Sequence, residues 1–272
     1  MNKKLFIMGA PNAGKSTFLA ALWHSINQKD VGTKLTLKRM SGDLNYLHGI
    51  EKKWLEVEQL ERTVIGQEQD NLSIVLTDGN NELELEFPDL SGETFQGIYE
   101  TREMSLQLKE KIYEADAILY FVNVEDIHTS VFISEIPMDY RQGTQITEKR
   151  NAGEDDPTQV QIIDLLQAVL EIKKEIDFGI IFSAWDLVKS EEKNNVKLFL
   201  ERQMNMLWQY LEANEKTIHT NIWGVSAIGG KLEEADSLLD IDEPIKRIQV
   251  VNEKKEISND LTTIILEMSG EI

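Results

Sequence analysis

Leu5-Phe6-Ile7-Met8-Gly9-Ala10-Pro11-Asn12-Ala13-Gly14-Lys15-Ser16-Thr17 is the stretch on which the reading of this chain turns. Four apolar residues suited to a buried strand run into a G-x-x-x-x-G-K-[ST] loop, and a helical stretch follows at once. A helix entered through such a loop presents its first backbone N–H groups, which have no intrahelical partners, to an anion. The glycines let the backbone approach that anion closely. Lys15 reaches the β and γ oxygens of a nucleoside triphosphate, and the Ser16 hydroxyl is a ligand for Mg2+. Asn12, Ala13, Gly14, Lys15, Ser16 and Thr17 are therefore the expected phosphate-binding residues. An ordinary glycine turn is the competing reading, and the strand before the loop and the helix after it weigh against that.

The rest of the composition bounds the protein around this loop. At 272 residues and 41% hydrophobic, the chain can bury a full core as one large domain or as one domain with an insertion. We expect a single domain over 1–272. No apolar run approaches the roughly 18 residues of a membrane helix, and the first strand comes too early for a secretory signal, so the expected location is cytoplasmic with no membrane span. The absence of cysteine excludes disulfides, thiolate metal sites and cysteine nucleophiles. A net charge of −20, from 28 basic against 48 acidic residues, repels phosphate backbones. No basic patch offsets it, and no nucleic-acid partner is expected. The acidity serves solubility or a docking face for a basic partner. His24, His48, His128 and His219 are dispersed, without metal-ligand or triad spacing.

Six strand-like runs are visible, at 4–8, 72–77, 82–87, 117–122, 178–183 and 219–225. Asp78-Gly79-Asn80-Asn81 between the second and third reads as a hairpin turn, because these residues tolerate positive φ. Elsewhere strands alternate with helical patterns at 15–27, 95–114, 157–175, 191–212 and 258–268. Such alternation implies an α/β fold. The expected sheet is mostly parallel and six-stranded, with helices on both faces and one antiparallel strand. Leu44, Leu47, Trp54, Val57 and Leu60 recur at helical spacing and predict a further amphipathic helix facing the core. Residues 124–156 are polar and aperiodic, an insertion ending at about 157. Its Val131, Phe132, Ile133 and Ile136 fit either a docking site or a disordered segment.

Further motifs sit at strand ends. Phe87-Pro88-Asp89-Leu90-Ser91-Gly92-Glu93 carries D-x-x-G where a strand ends and a helix begins. There Asp89 holds Mg2+ through a water, and the Gly92 N–H senses a γ-phosphate and moves when it leaves. Ser183-Ala184-Trp185-Asp186 and Ser226-Ala227 end the later strands, where open α/β sheets bind ligands. A carboxylate at Asp186 accepts from guanine N1–H and its exocyclic amine together, a donor pair adenine lacks, so GTP is favoured. The competing readings are a helix N-cap for Asp186 and a plain turn for Ser226-Ala227.

With these four elements the chain resembles, over most of its length, a translation-factor-class P-loop GTPase of the Ras-like fold. Within that class, the loop, the Asp-Leu-Ser-Gly-Glu element and the Ser-Ala-Trp-Asp variant are similar to the double-GTPase family of bacterial conflict (anti-phage) systems. The resemblance implies GTP and GDP as ligands with Mg2+, a regulatory or effector protein as partner, and, as many small GTPases do, a nucleotide-dependent dimer. It also exposes departures. Ser183 and Ala184 stand where the usual fourth motif has Asn and Lys, which weakens guanine selectivity, and Trp185 is either an aromatic face beside the base or a core residue. Glu93 stands where many relatives carry a water-positioning Gln. The switch-one threonine, a ligand of Mg2+ and γ-phosphate, falls within an extended region at about 30–70; Thr63 is the choice, against an ordinary loop threonine. Asn12 matches the residue that binds K+ in GTPases resembling the tRNA-modification class, or else bonds its own backbone. Arg62 and Arg102 are either internal arginine fingers or surface charges. The expected function is a switch that hydrolyses Mg-GTP, slowly without an activator, with Lys15, Thr63, Gly92 and Glu93 as its catalytic residues. A nucleotide-binding adaptor without hydrolysis and an ATPase are the rivals.

Overall fold

The computed structural model describes residues 2–28, 32–60, 72–87, 92–129, 151–189 and 191–270. Its nine strands are β1 (Asn2–Gly9), β2 (Thr36–Ser41), β3 (Leu72–Thr77), β4 (Glu82–Phe87), β5 (Ala117–Asn123), β6 (Ile176–Ser183), β7 (Ile218–Ser226), β8 (Gln249–Asn252) and β9 (Ile257–Ser258). They form one sheet in the order β2-β3-β4-β1-β5-β6-β7-β8-β9. β4, β1, β5, β6 and β7 are mutually parallel, while β2, β3, β8 and β9 join by antiparallel pairing. The expectation of a mostly parallel six-stranded sheet with one antiparallel strand is thus corrected. All six expected strands are present, but the sheet is mixed, with antiparallel pairs at both edges. β2 was missed because its burial alternates weakly around Lys38 and Arg39 at an edge, and β8 and β9 because they span four and two residues.

The helices are α1 (Lys15–Asn27), α2 (Leu44–Leu55), α3 (Glu93–Thr101), α4 (Leu106–Glu114), the single turn α5 (Ala152–Asp155), α6 (Thr158–Ile172), α7 (Val196–Gln203), α8 (Asn205–Ala213), α9 (Ala235–Leu239) and α10 (Thr262–Met268). They cover both sheet faces. Successive residues of β1 point to opposite sides. Leu5 and Ile7 join α1, α2 and α10 in one core, and Phe6 and Met8 join α3, α4, α6, α7 and α8 in the other. Two expected helices are each broken in two. The 95–114 pattern stops at Arg102, a left-handed residue with φ 61° that closes α3 before Ser105 caps α4. The 191–212 pattern starts later and breaks at Met204. Both halves of each pair face one core, so apolar periodicity continues across the break and hides it.

At the β3–β4 hairpin the Asp78 carboxylate accepts from the backbone N–H groups of Asn80 and Asn81, at 2.8 and 2.7 Å. Gly79 takes φ +100°. No helix among the described residues is long and apolar enough to cross a membrane.

Candidate nucleotide-binding site

The loop between β1 and α1 is built for an anion. Gly14 caps α1 with φ 86° and without a side-chain cap, and the first turn carries no acidic residue. The positive helix end therefore faces the loop without a competing carboxylate. Gly14 is required by its neighbour as well as its φ: a Cβ there would lie 2.8 Å from both Cβ and Oγ of Ser183. The Lys15 side chain, 2% exposed, lies along the loop floor. Its ammonium donates to the carbonyls of Gly9 and Ala10, each at 2.8 Å, which offsets part of its desolvation.

Asn12, Ala13, Gly14, Lys15, Ser16 and Thr17 line a cavity of about 500 Å3 together with Asp186 and Ala227. The loop after β1 and the ends of β6 and β7, far apart in sequence, thus meet in one space of ligand size. Ser226 is buried and outside the lining. Its hydroxyl donates to Asp186 Oδ1 and accepts from the Gly229 N–H at 3.0 Å. The pair fixes the carboxylate and leaves Asp186 Oδ2 outside this bond.

Ser183 has a visible task. Its buried hydroxyl donates to the Ala13 carbonyl at 2.9 Å, so the end of β6 is tied directly to the phosphate loop. Trp185 is fully buried and outside the cavity lining. Its indole N–H donates to the Lys193 carbonyl at 2.8 Å, and its ring meets Phe199 edge-on at 5.0 Å. It is therefore a core residue.

Gly92 caps α3 with φ 79° and is pressed against the loop, since a Cβ there would come within 2.5 Å of the Ala10 carbonyl carbon and the Gly9 oxygen. Glu93 opens α3 and is exposed, outside the cavity lining. Arg102 is also away from it, lying over the Tyr99 ring at 5.1 Å and paired with Asp164. Thr63, Arg62 and Asp89 lie outside the described residues, as do Val131, Phe132, Ile133 and Ile136.

Sequence reasoning missed one wall of the cavity. Glu58, Gln59 and Leu60 line it, delivered there by α2 and a reversal at Val57, φ 54°. Trp54, 1% exposed, anchors the arrangement. Its indole N–H donates to the Ala227 carbonyl at 2.8 Å. The Arg247 guanidinium lies over its ring at 4.6 Å and donates to its carbonyl at 3.3 Å. Burial holds that guanidinium's pKa below its ordinary value. Helical spacing marked Trp54 as apolar, but no local pattern reports a partner 173 residues away. His24, by contrast, is structural: its ring bonds Glu51 at 2.9 Å and packs on Trp54.

Strand order, loop and cavity together make this a P-loop nucleotide-binding protein of the α/β class. The chain belongs to the Double-GTPase 1 family, whose model matches residues 6–268. No curated protein matches it. Among solved structures it is similar to the Arl6 (BBS3) small GTPase of Trypanosoma brucei with bound GppNp, at 12% identity over 88% of this chain and 96% of that one, TM-score 0.39. It is similar to the G domain of the T. maritima FeoB iron transporter, at 14% identity over 88% and 98%, TM-score 0.32. A third likeness is to a nucleolar GTP-binding protein 1 of Plasmodium falciparum, at 13% identity over 89% and 88%, TM-score 0.40.

Proposed function

We propose that this protein is a GTP-binding molecular switch that hydrolyses Mg-GTP to GDP and phosphate and signals the difference to a partner protein. The observation that carries this reading is Asp186, held by the Ser226 hydroxyl, in the same cavity as Lys15 and Ser16. With Oδ1 engaged by serine, Oδ2 is the acceptor for the guanine N1–H and amine. The loop N–H groups and Lys15 bind the triphosphate, and positioning of this kind supplies most of phosphoryl-transfer catalysis. Gly92 answers to the γ-phosphate, and Glu93 orients water. Ser16 offers a hard hydroxyl oxygen at the first turn of α1, which fits Mg2+, an ion that takes its other ligands largely from phosphates and water. Thr63 and Asp89 complete the protein's contribution. Mg2+ bound there supplies neutralisation of charge on the β and γ oxygens. Asn12 is the candidate ligand for K+.

In this reading 1–272 is a single domain, 30–70 is the extended switch-one region, and 124–157 is an insertion available to partners. The family resemblance extends the proposal to signalling in a bacterial defence system, with a nucleotide-dependent dimer as one form of the signal. The test is binding and turnover of GTP and ATP with Mg2+, in KCl and separately in NaCl, alongside Lys15→Ala and Asp186→Ala. GTP hydrolysis that disappears in Lys15→Ala and weakens in Asp186→Ala supports the switch. Equal rates in the two salts remove K+, a preference for ATP overturns the base assignment, and tight binding without turnover in the presence of candidate partners leaves a nucleotide-dependent adaptor.

A further inference from the structure

Helix α3 touches two parts of the chain that lie far apart in sequence: the phosphate loop at its start, and the returning end of the 124–157 insertion along its side. At its start, Gly92 is pressed on the loop backbone at Gly9 and Ala10. Along its side lies the turn α5. The Tyr99 hydroxyl of α3 donates to Asp156 Oδ2 at 2.5 Å, with both residues buried. Gly153 packs so closely that a Cβ there would lie 2.6 Å from Gln96 Cγ. α5 is in turn fixed to α6, because the Gln161 amide donates to the Gly153 and Asp156 carbonyls at 3.1 and 2.9 Å. The neck of the insertion is closed where the His128 N–H donates to Thr158 Oγ1 at 2.9 Å and the Thr158 N–H to the His128 carbonyl at 3.0 Å.

Hydrogen bonds to a carboxylate are among the stronger ones in proteins, and a buried carboxylate that loses one is left at a high cost. The Tyr99–Asp156 bond therefore resists separation. α3 has nine residues and spans about 13 Å, so it moves as a rod and a displacement at Gly92 is carried to Tyr99. The far end of the rod has a place to pivot. Arg102, left-handed at φ 61°, closes α3 and separates it from α4, and hinges are a few element-terminal residues of this kind. Its guanidinium lies over the Tyr99 ring at 5.1 Å and pairs with Asp164 of α6.

We propose, on the basis of the GTP-switch reading, that Tyr99 and Asp156 are positioning residues that couple the nucleotide's γ-phosphate to residues 152–157, the returning end of the insertion. With their bond made, α3 is held with Gly92 against the loop, the arrangement in which its N–H meets a γ-phosphate. When that phosphate leaves, α3 shifts and draws α5 with it. Coupling of this kind is reciprocal, so a partner that grips 152–157 alters the preference for GTP over GDP.

The chain has no cysteine, so Glu154→Cys, at an exposed position, takes a single environment-sensitive fluorophore. The labelled full chain is read with Mg2+ and GDP and then with Mg2+ and the non-hydrolysable analogue GppNHp, and the Kd of each nucleotide is measured separately. Emission is expected to differ between the two nucleotides. Tyr99→Phe keeps the ring beneath Arg102, removes only the hydroxyl, and cuts that difference at least threefold. In the same variant GppNHp binds at least threefold more weakly, while GDP affinity stays within twofold of wild type. Asp156→Asn, whose side-chain carbonyl still accepts from Tyr99, retains more of the emission difference than Asp156→Ala. A merely structural bond would lower the melting temperature of these variants but leave the ratio of GppNHp to GDP affinity unmoved. An unchanged emission difference and affinity ratio in Tyr99→Phe overturns the coupling. So does a wild-type chain that binds both nucleotides without any emission difference, and in either case the GTP switch stands. A wild-type chain that binds neither nucleotide overturns both.

Discussion

Trp54 is the residue whose replacement tests the architecture of the nucleotide cavity most directly, because it joins α2, Arg247 and the Ala227 carbonyl at one point. Truncating a buried aromatic to alanine costs about 3–5 kcal/mol. Here it also removes the ring beneath Arg247, which is 4% exposed and whose other hydrogen bond among the described residues is to the Pro244 carbonyl. The expected loss for Trp54→Ala is about 4 kcal/mol, a large share of the roughly 5–15 kcal/mol that holds a typical domain folded. Trp54→Phe keeps a ring for Arg247 and His24 but loses the indole N–H, leaving the Ala227 carbonyl unpaired. About 1 kcal/mol for that bond and about 1 kcal/mol for the lost volume give about 2 kcal/mol. Because Ala227 and the 58–60 segment both line the cavity, loosening their shared anchor raises the Kd for GTP about fivefold, the equivalent of about 1 kcal/mol. Urea denaturation measures the first effect, and titration with a fluorescent guanine nucleotide the second. A Trp54→Ala chain less than about 1.5 kcal/mol below wild type, or a Trp54→Phe chain with unchanged stability and GTP affinity, refutes the anchoring argument.

Gly92→Ala combines a left-handed backbone with a Cβ 2.5 Å from loop backbone, and is expected to cost about 2–4 kcal/mol, read as a lowered denaturation midpoint with GTP turnover falling in parallel. Ser183→Ala leaves the Ala13 carbonyl without its donor; we expect a loss of about 1 kcal/mol and a severalfold weaker grip on GTP, and an unchanged nucleotide titration would show that this bond does not hold the loop. The hairpin gives a pH test. Asp78 is held below the ordinary carboxylate range by the N–H groups of Asn81 and then Asn80. Its contribution is therefore complete above the unfolded value of about 4 and disappears as pH falls through the lower folded value. Asp78→Ala should be less stable than wild type at neutral pH and converge with it in acid, as followed by thermal melts across that range.

How far the sequence carried can be traced to particular residues. The central strands were legible because burial on both faces makes their apolar runs nearly continuous, as in β5, where only Asn123 is not buried. The edge strands were not, because Thr36–Ser41 is half polar by position and Ile257–Ser258 is too short for any period to register. The strand–loop–helix turn at 9–17 was legible for another reason: its pattern is local, with β1 ending at Gly9 and α1 starting at Lys15. Asp186 and Ser226 could be placed at strand ends, and hence at the ligand edge, but their hydrogen bond depends on β6 and β7 lying side by side. Nothing local announces that Leu60 or Arg247 belongs near the site, since both arrive through tertiary packing around Trp54. Ser183 showed in sequence only as a departure from a motif, and its bond to Ala13 appears only when the loop and the β6 end are seen together.

The clamp between His128 and Thr158 has a bearing on how such a chain can change over time. Two hydrogen bonds, between the His128 and Thr158 backbones and the Thr158 hydroxyl, close the neck of the insertion. Adding or removing chain beyond them alters loop-closure entropy by only about 0.6 kcal/mol per doubling of length. The sequence between 129 and 151 is thus where length and composition can be exchanged, whereas 152–157 is tied in by the buried Asp156, which accepts from the Tyr99 hydroxyl at 2.5 Å.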